Sequence, residues 1–171
     1  MKNKTVVILG SARSFGNTRK VIDALLVIKN DIDVIDLNDF NIGYYDYGFK
    51  NSDDDFLGII QNILQYESII FATPVYWYSM SAQLKTFFDR ISDLLHGENK
   101  VLGRQLRGKQ MAAISCGSDD EIKKEFEMPF KESANYLGMK YINHIHTWVE
   151  AGDKIPDKVA KRLKSLVKDF S

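Results

Sequence analysis

Four side chains able to donate hydrogen bonds crowd one short segment, Gly10-Ser11-Ala12-Arg13-Ser14-Phe15-Gly16-Asn17-Thr18. Ser11, Ser14, Asn17 and Thr18 supply hydroxyl or amide donors, Gly16 lets the backbone approach a ligand closely, and Arg13 adds a charge-assisted contact. Placed at the start of a helix, such a segment also offers unpaired backbone N–H groups and a partial positive charge, the chemistry that holds a phosphate. No Gly-Lys-Ser/Thr closes it, so it is not a P-loop, and Ala12 stands where the dinucleotide fingerprint carries its second glycine. The alternative is an ordinary strand-to-helix turn capped by Asn17 or Ser14.

A second segment, Thr73-Pro74-Val75-Tyr76-Trp77-Tyr78-Ser79-Met80, places three consecutive aromatic residues directly after an apolar run. Neighbouring side chains point in different directions, so the three rings cannot all enter the core. They offer flat apolar surface to a planar ring, or else a hydrophobic lid or a subunit contact. A third segment, Ser115-Cys116-Gly117-Ser118, has a glycine for close backbone approach. A phosphate at the first segment and a planar heteroaromatic between the other two describe a mononucleotide, FMN best of all.

Other candidates have plainer readings. His144 and His146 alternate onto one face of a strand, but no third ligand lies near them in sequence, so no metal site is expected. His96 precedes Gly97 at a helix end, where a partial negative charge favours it. Cys116 reads as a small buried residue rather than a redox thiol. Lys85, Asp89 and Arg90 read as the solvated polar side of a helix, or as a dimer contact. A phospho-accepting receiver domain would need carboxylates where Gly10-Ser11 stands.

The periodicity predicts the elements that must position these segments. Thr5 to Leu9, Ile32 to Leu37, Ser68 to Thr73, Gln110 to Ser115 and Tyr141 to Trp148 read as strands. Five helices alternate with them: Asn17 to Ile28, one on Phe56 to Leu64 with Asp53, Asp54 and Asp55 at its start, and one from Met80 to Leu95 stopped at Gly97. The fourth is capped by Ser118 and Glu121 and interrupted near Pro129; the last is opened by Pro156. Right-handed crossovers then give an α/β, flavodoxin-like three-layer sandwich with a five-stranded parallel sheet in the order 2-1-3-4-5. In that order a ligand sits at the carboxyl ends of strands 1, 3 and 4, where the three segments fall.

Composition excludes much else. The 171 residues are 44% hydrophobic and 27% charged, enough for one domain over 1–171. Twenty-three basic residues against 23 acidic ones leave no basic excess for nucleic acid. The longest apolar run, Ser68 to Tyr78, is too short to span a bilayer, and the start of the chain does not read as a signal peptide, so a soluble cytoplasmic protein is expected. One cysteine excludes an internal disulfide and any iron–sulfur cluster held by this chain's own cysteines.

Gly10-Ser11-Ala12-Arg13 with Gly16-Asn17-Thr18 resembles the phosphate loop of the NAD(P)H-dependent FMN reductase family. Thr73 to Lys85, running on to Phe88-Asp89-Arg90, is similar to the second signature of that family and of its iron–sulfur flavoprotein relatives. The resemblance implies that Ser11, Arg13, Ser14, Gly16, Asn17 and Thr18 hold the FMN phosphate, and that Pro74, Val75, Tyr76, Trp77, Ser115, Cys116 and Gly117 border the isoalloxazine. It implies an NADPH or NADH co-substrate, a quinone, flavin or other small acceptor, and a homodimer or homotetramer. No dedicated catalytic acid or base is expected, because the cofactor carries the chemistry. The cysteine motif of the iron–sulfur relatives is missing: the stretch reads Ile42-Gly43-Tyr44-Tyr45-Asp46-Tyr47-Gly48-Phe49. Those aromatics would cover the flavin, line a subunit contact or pack as a surface loop.

Two alternatives remain. A flavodoxin-like electron carrier with no hydride chemistry would usually be strongly acidic, and this chain is neutral. The other is a redox-silent nucleotide-binding or regulatory protein.

Overall fold

Short β-branched runs form the centre of the molecule. The computed structural model describes residues 4–170, and the remainder of the expected domain, residues 1–3 and 171, lies outside them. Five parallel strands are present: β1 (Thr5–Leu9), β2 (Ile32–Asp36), β3 (Ser68–Pro74), β4 (Gln110–Gly117) and β5 (Lys140–Trp148). Their order is β2-β1-β3-β4-β5, the flavodoxin-like order expected from the alternation. Pairing β1 with β3 in the register Leu9↔Ala72, and β3 with β4 in the register Pro74↔Cys116, brings the three segments to one edge.

The two faces of the sheet each bury a separate apolar cluster, because alternate strand residues point to opposite sides. Val7, Leu9, Ile70, Ala72 and Ile114 pack under α1 (Asn17–Ile28) and α6 (Asp157–Asp169). Val6, Ile8, Ile69, Phe71 and Ala113 pack under α2 (Phe56–Ile63), α3 (Ala82–Arg90) and α5 (Met128–Leu137). Strands buried on both faces carry no polar alternation, which is why they read as continuous apolar runs.

Three details differ from the sequence expectation. The third helix is shorter: Ser81 caps it, it ends at Arg90, a tighter 3-10 turn covers Ile91–Leu95, and a short helix, α4 (Lys100–Arg104), follows Gly97. The described residues therefore hold six α-helices where five were expected. Ser118 and Glu121 start no helix. The Asp119 carboxylate instead accepts the Glu121 N–H at 2.9 Å, an Asx turn that competes with helix formation. Helix α5 begins ten residues later with Pro129 in its first turn, where a missing N–H costs nothing.

Arg90 is the third correction. Lys85 and Asp89 do form an exposed i,i+4 pair at 2.6 Å, but Arg90 is 2% exposed. Its guanidinium meets the Asp54 carboxylate with two nitrogens and donates to Asp93 Oδ2 at 2.7 Å. It also donates to the carbonyls of Gly43 at 3.0 Å and Asn51 at 2.9 Å, and lies over the Phe56 ring. Burial alone would raise the Asp54 carboxyl; Arg90 and the N–H groups of Phe56 and Gly43 outweigh it and hold it below its ordinary value. The segment between β2 and α2 is therefore an anchored surface loop, with Tyr44 and Tyr47 exposed.

Candidate active site

Helix α1 begins without a side-chain cap. Its N-cap is Gly16, and neither Asn17 nor Ser14 accepts a capping hydrogen bond, so the first-turn N–H groups face outward unpaired by any side chain. A tight turn, Gly16 N–H to the Arg13 carbonyl at 3.3 Å, folds the loop back over them. Ser11 and Thr18 are buried at its base, while Arg13 and Asn17 are exposed at its rim. The ordinary capped turn, the alternative left open by the sequence, is not what forms.

Asn38, just past β2, braces this loop and went unnoticed in the sequence. Its amide donates to the Ser11 carbonyl at 2.5 Å, to Asp36 Oδ1 at 3.1 Å and to Ser14 Oγ at 3.3 Å. The signal was its place at the carboxyl end of the strand beside β1. The loop after β3 is tied to β1 in the same way. Ser81 Oγ donates to the Gly10 carbonyl at 2.7 Å and accepts from Leu84 N–H, while Thr73 Oγ1 accepts from Ser81 N–H at 2.9 Å. Gly10 must be glycine here, because a Cβ would lie 2.6 Å from Leu84 Cβ.

Tyr76 and Ser79 exchange backbone hydrogen bonds at 2.9 and 3.0 Å, so Trp77 and Tyr78 are the two central residues of a tight hairpin turn. Both have positive φ, 49° and 64°. Turns of this kind favour Asn-Gly, and an aromatic in the left-handed region costs on the order of 1–2 kcal/mol. The strained turn holds Trp77 94% exposed and Tyr78 mostly exposed.

The three loops enclose one cavity of about 190 Å³, lined by Ser11, Arg13, Gly16, Asn17 and Thr18 from the first, Pro74, Val75 and Tyr76 from the second, and Cys116 to Ser118 from the third. A larger hollow of about 700 Å³ shares Val75, Gly117 and Ser118 with it and adds Trp77, Tyr78 and the segment from Asp119 to Lys123. Of the residues expected at the site, Ser14 and Ser115 line neither. Ser14 lies beside Asn38, and Ser115 is wholly buried beneath the third loop. Burial pushes the Cys116 thiol up, against hydrogen bonds from Thr147 and Thr18, so it stays a neutral wall at pH 7.

Beneath that loop Ser115 Oγ lies 2.8 Å from both His144 Nε2 and His146 Nδ1. Desolvation, with His146 and Arg162 nearby, brings His144 down to about 4; burial likewise lowers His146. An unfolded histidine takes its proton near 6.5, the folded His144 only near 4, so the unfolded chain binds more protons between those values. Stability should therefore fall as the pH drops through that window, by about 2 kcal/mol from pH 7 to pH 5. Urea denaturation at the two pH values checks this, and equal midpoints would contradict it.

The model of the NADPH-dependent FMN reductase family matches residues 3–153. The chain belongs to that family. It is 32% identical over 151 residues to the YwqN protein of Bacillus subtilis, named as an NAD(P)H-dependent FMN-containing oxidoreductase, covering 83% of each chain. The solved structure of a Trp repressor binding protein from B. subtilis is 28% identical, with a TM-score of 0.76 over 96% of this chain and 97% of that one. An iron–sulfur flavoprotein of Archaeoglobus fulgidus is 28% identical over 130 residues, 70% of this chain and 58% of its own length. The family's description and the name of the YwqN protein both specify FMN and a nicotinamide donor. This reductase therefore takes FMN as cofactor and NAD(P)H as electron donor. Its residues fit that cofactor: an uncapped helix start with hydroxyl donors lies at one end of the cavity, and backbone and aromatic surface at the other. With one cysteine, this chain does not carry the several cysteines a cluster would need.

Proposed function

We propose that the chain acts as one FMN-binding domain over 1–171 that oxidises NAD(P)H and passes the electrons to a quinone, a free flavin or another small planar acceptor. The observation that carries this reading is the convergence of the uncapped start of α1 with the loops after β3 and β4 on one cavity. Bound FMN would supply the two-electron chemistry between nicotinamide and acceptor. Ser11, Arg13, Gly16, Asn17 and Thr18 hold its phosphate, and Asn38 keeps their loop in shape. Pro74, Val75, Tyr76, Cys116 and Gly117 border the ring. Trp77 and Tyr78 wall the adjoining hollow, which admits the two planar substrates in turn.

Steady-state NAD(P)H oxidation with a naphthoquinone or free FMN as acceptor tests the reading against the electron-carrier alternative. Turnover without a partner reductase is expected; its absence with every small acceptor would overturn the assignment. The strained turn gives a sharper check. Trp77→Asn with Tyr78→Gly relieves both positive-φ aromatics, and should raise Tm by a few degrees while raising KM for the acceptor about tenfold or more. A stabilised variant with an unchanged KM would remove the aromatic wall from the account.

Among the described residues no helix is long and apolar enough to cross a membrane. A cytoplasmic location and a homodimer or homotetramer complete the proposal, the latter supported by the exposed Tyr44, Tyr47, Trp77 and Tyr78. Light scattering at micromolar concentration tests it: a fully active monomer would defeat it.

A further inference from the structure

With both imidazoles neutral, the hydrogen-bonded group beneath the third loop has only one self-consistent proton arrangement. His146 Nε2 lies 3.0 Å from the Asp119 carbonyl oxygen, which can only accept, so Nε2 carries the proton. In the neutral ring Nδ1 is then bare and must accept, and the Ser115 hydroxyl, 2.8 Å away, donates to it. Ser115 Oγ is left as an acceptor, so His144 Nε2, also at 2.8 Å, is the donor. The chain runs His144 to Ser115 to His146 to the backbone of Asp119. We propose that it is a positioning relay, in which Ser115, His144 and His146 set the Gly117–Asp119 backbone at the height where it meets the isoalloxazine; this rests on the reading of Gly117 as a border of the ring.

Four further contacts hold the relay in place, the first of them with the loop itself. A Cβ on Gly117 would lie 2.8 Å from His146 Cε1, so the loop backbone rests directly on the imidazole. Thr147 Oγ1 donates to the Ser115 carbonyl at 2.6 Å, and Arg162 Nη1 donates to the His146 carbonyl at 2.7 Å. His144 is stacked on Phe126, with ring centroids 5.3 Å apart. The charged groups around the relay are the Asp119 carboxylate, Asp120, and Arg162 and Lys158 on α6, the last two paired with Asp120. Desolvation keeps both rings neutral at pH 7, which the relay requires. A satisfied, directional network of this kind rigidifies the backbone it ends on.

Long-range 1H–15N spectra of the histidine rings in the FMN-loaded protein at pH 7 read the tautomers directly, and flavin fluorescence quenching reads the affinity. Both rings should show the Nε2–H tautomer. Ser115→Ala should weaken FMN binding about tenfold and shift His144, which loses its acceptor, toward mixed tautomers, while the Asp119 carbonyl still holds His146 as Nε2–H. His144→Gln keeps a donor near the Nε2 position and should hold the native affinity, whereas His144→Leu should lose it to a similar extent. An Nδ1–H tautomer at His146 with FMN still bound, or native affinity in both Ser115→Ala and His144→Leu, overturns the relay alone. A native protein that binds no FMN overturns the reading of the site and the relay with it.

Discussion

Replacing Arg90 by methionine should cost about 3–5 kcal/mol of folding stability, more than any other single change to a charged residue here. The guanidinium is the shared partner of two buried carboxylates, Asp54 and Asp93, whose side chains are 7% and 8% exposed. Removing it strands both, and a buried unpaired charge is far more expensive than the ion pair was favourable. It also frees the Gly43 and Asn51 carbonyls, so the loss extends through the segment between β2 and α2. Arg90→Lys should recover little, because one ammonium cannot present the fork that meets Asp54 with two nitrogens. Combining Arg90→Met with Asp54→Asn and Asp93→Asn should restore part of the stability by removing the stranded charges. Chemical denaturation of the three variants checks this. A single substitution costing under about 1 kcal/mol would mean that the triad contributes no more than a surface pair.

Removing the polar groups at the start of α1 has the largest expected effect on ligand binding. Thr18→Val keeps the shape of a buried side chain, 2% exposed, and deletes its hydroxyl. Asn17→Ala deletes the neighbouring amide at the rim. Each should weaken FMN by roughly tenfold, and the pair by about 100-fold, as expected for hydrogen bonds to a charged group. Riboflavin, which has the same ring and no phosphate, is the control: its affinity should not change. Equal losses for both ligands would point to a collapsed loop. Unchanged FMN affinity in both single variants would remove the phosphate assignment.

The strand order and the meeting of the three loops were legible because buried parallel strands write themselves as apolar runs, and β1, β3 and β4 are such runs. The donors at Ser11, Asn17 and Thr18 were legible because hydroxyl and amide residues crowd one strand-to-helix turn. What the sequence hid depended on contacts between distant residues. Arg90 lies beside Lys85 and Asp89 and shares their polarity, and its partner Asp54 stands 36 residues away. Asn38 acts from a neighbouring strand end, 27 residues from Ser11. Ser115 follows the alternation of β4 away from the cavity, so its place in a ligand-facing loop did not predict where its hydroxyl points. The helix expected at Ser118 failed for a local reason, since Asp119 competes for the same N–H groups that a capping box would use.

Anaerobic titration of the FMN-reconstituted protein with NADPH and then NADH, followed by the visible flavin spectrum, tests the central claim most directly. A bound yellow flavin that bleaches on addition of either or both nucleotides is expected. A protein that retains no flavin, or a bound flavin that neither nucleotide bleaches, would contradict it.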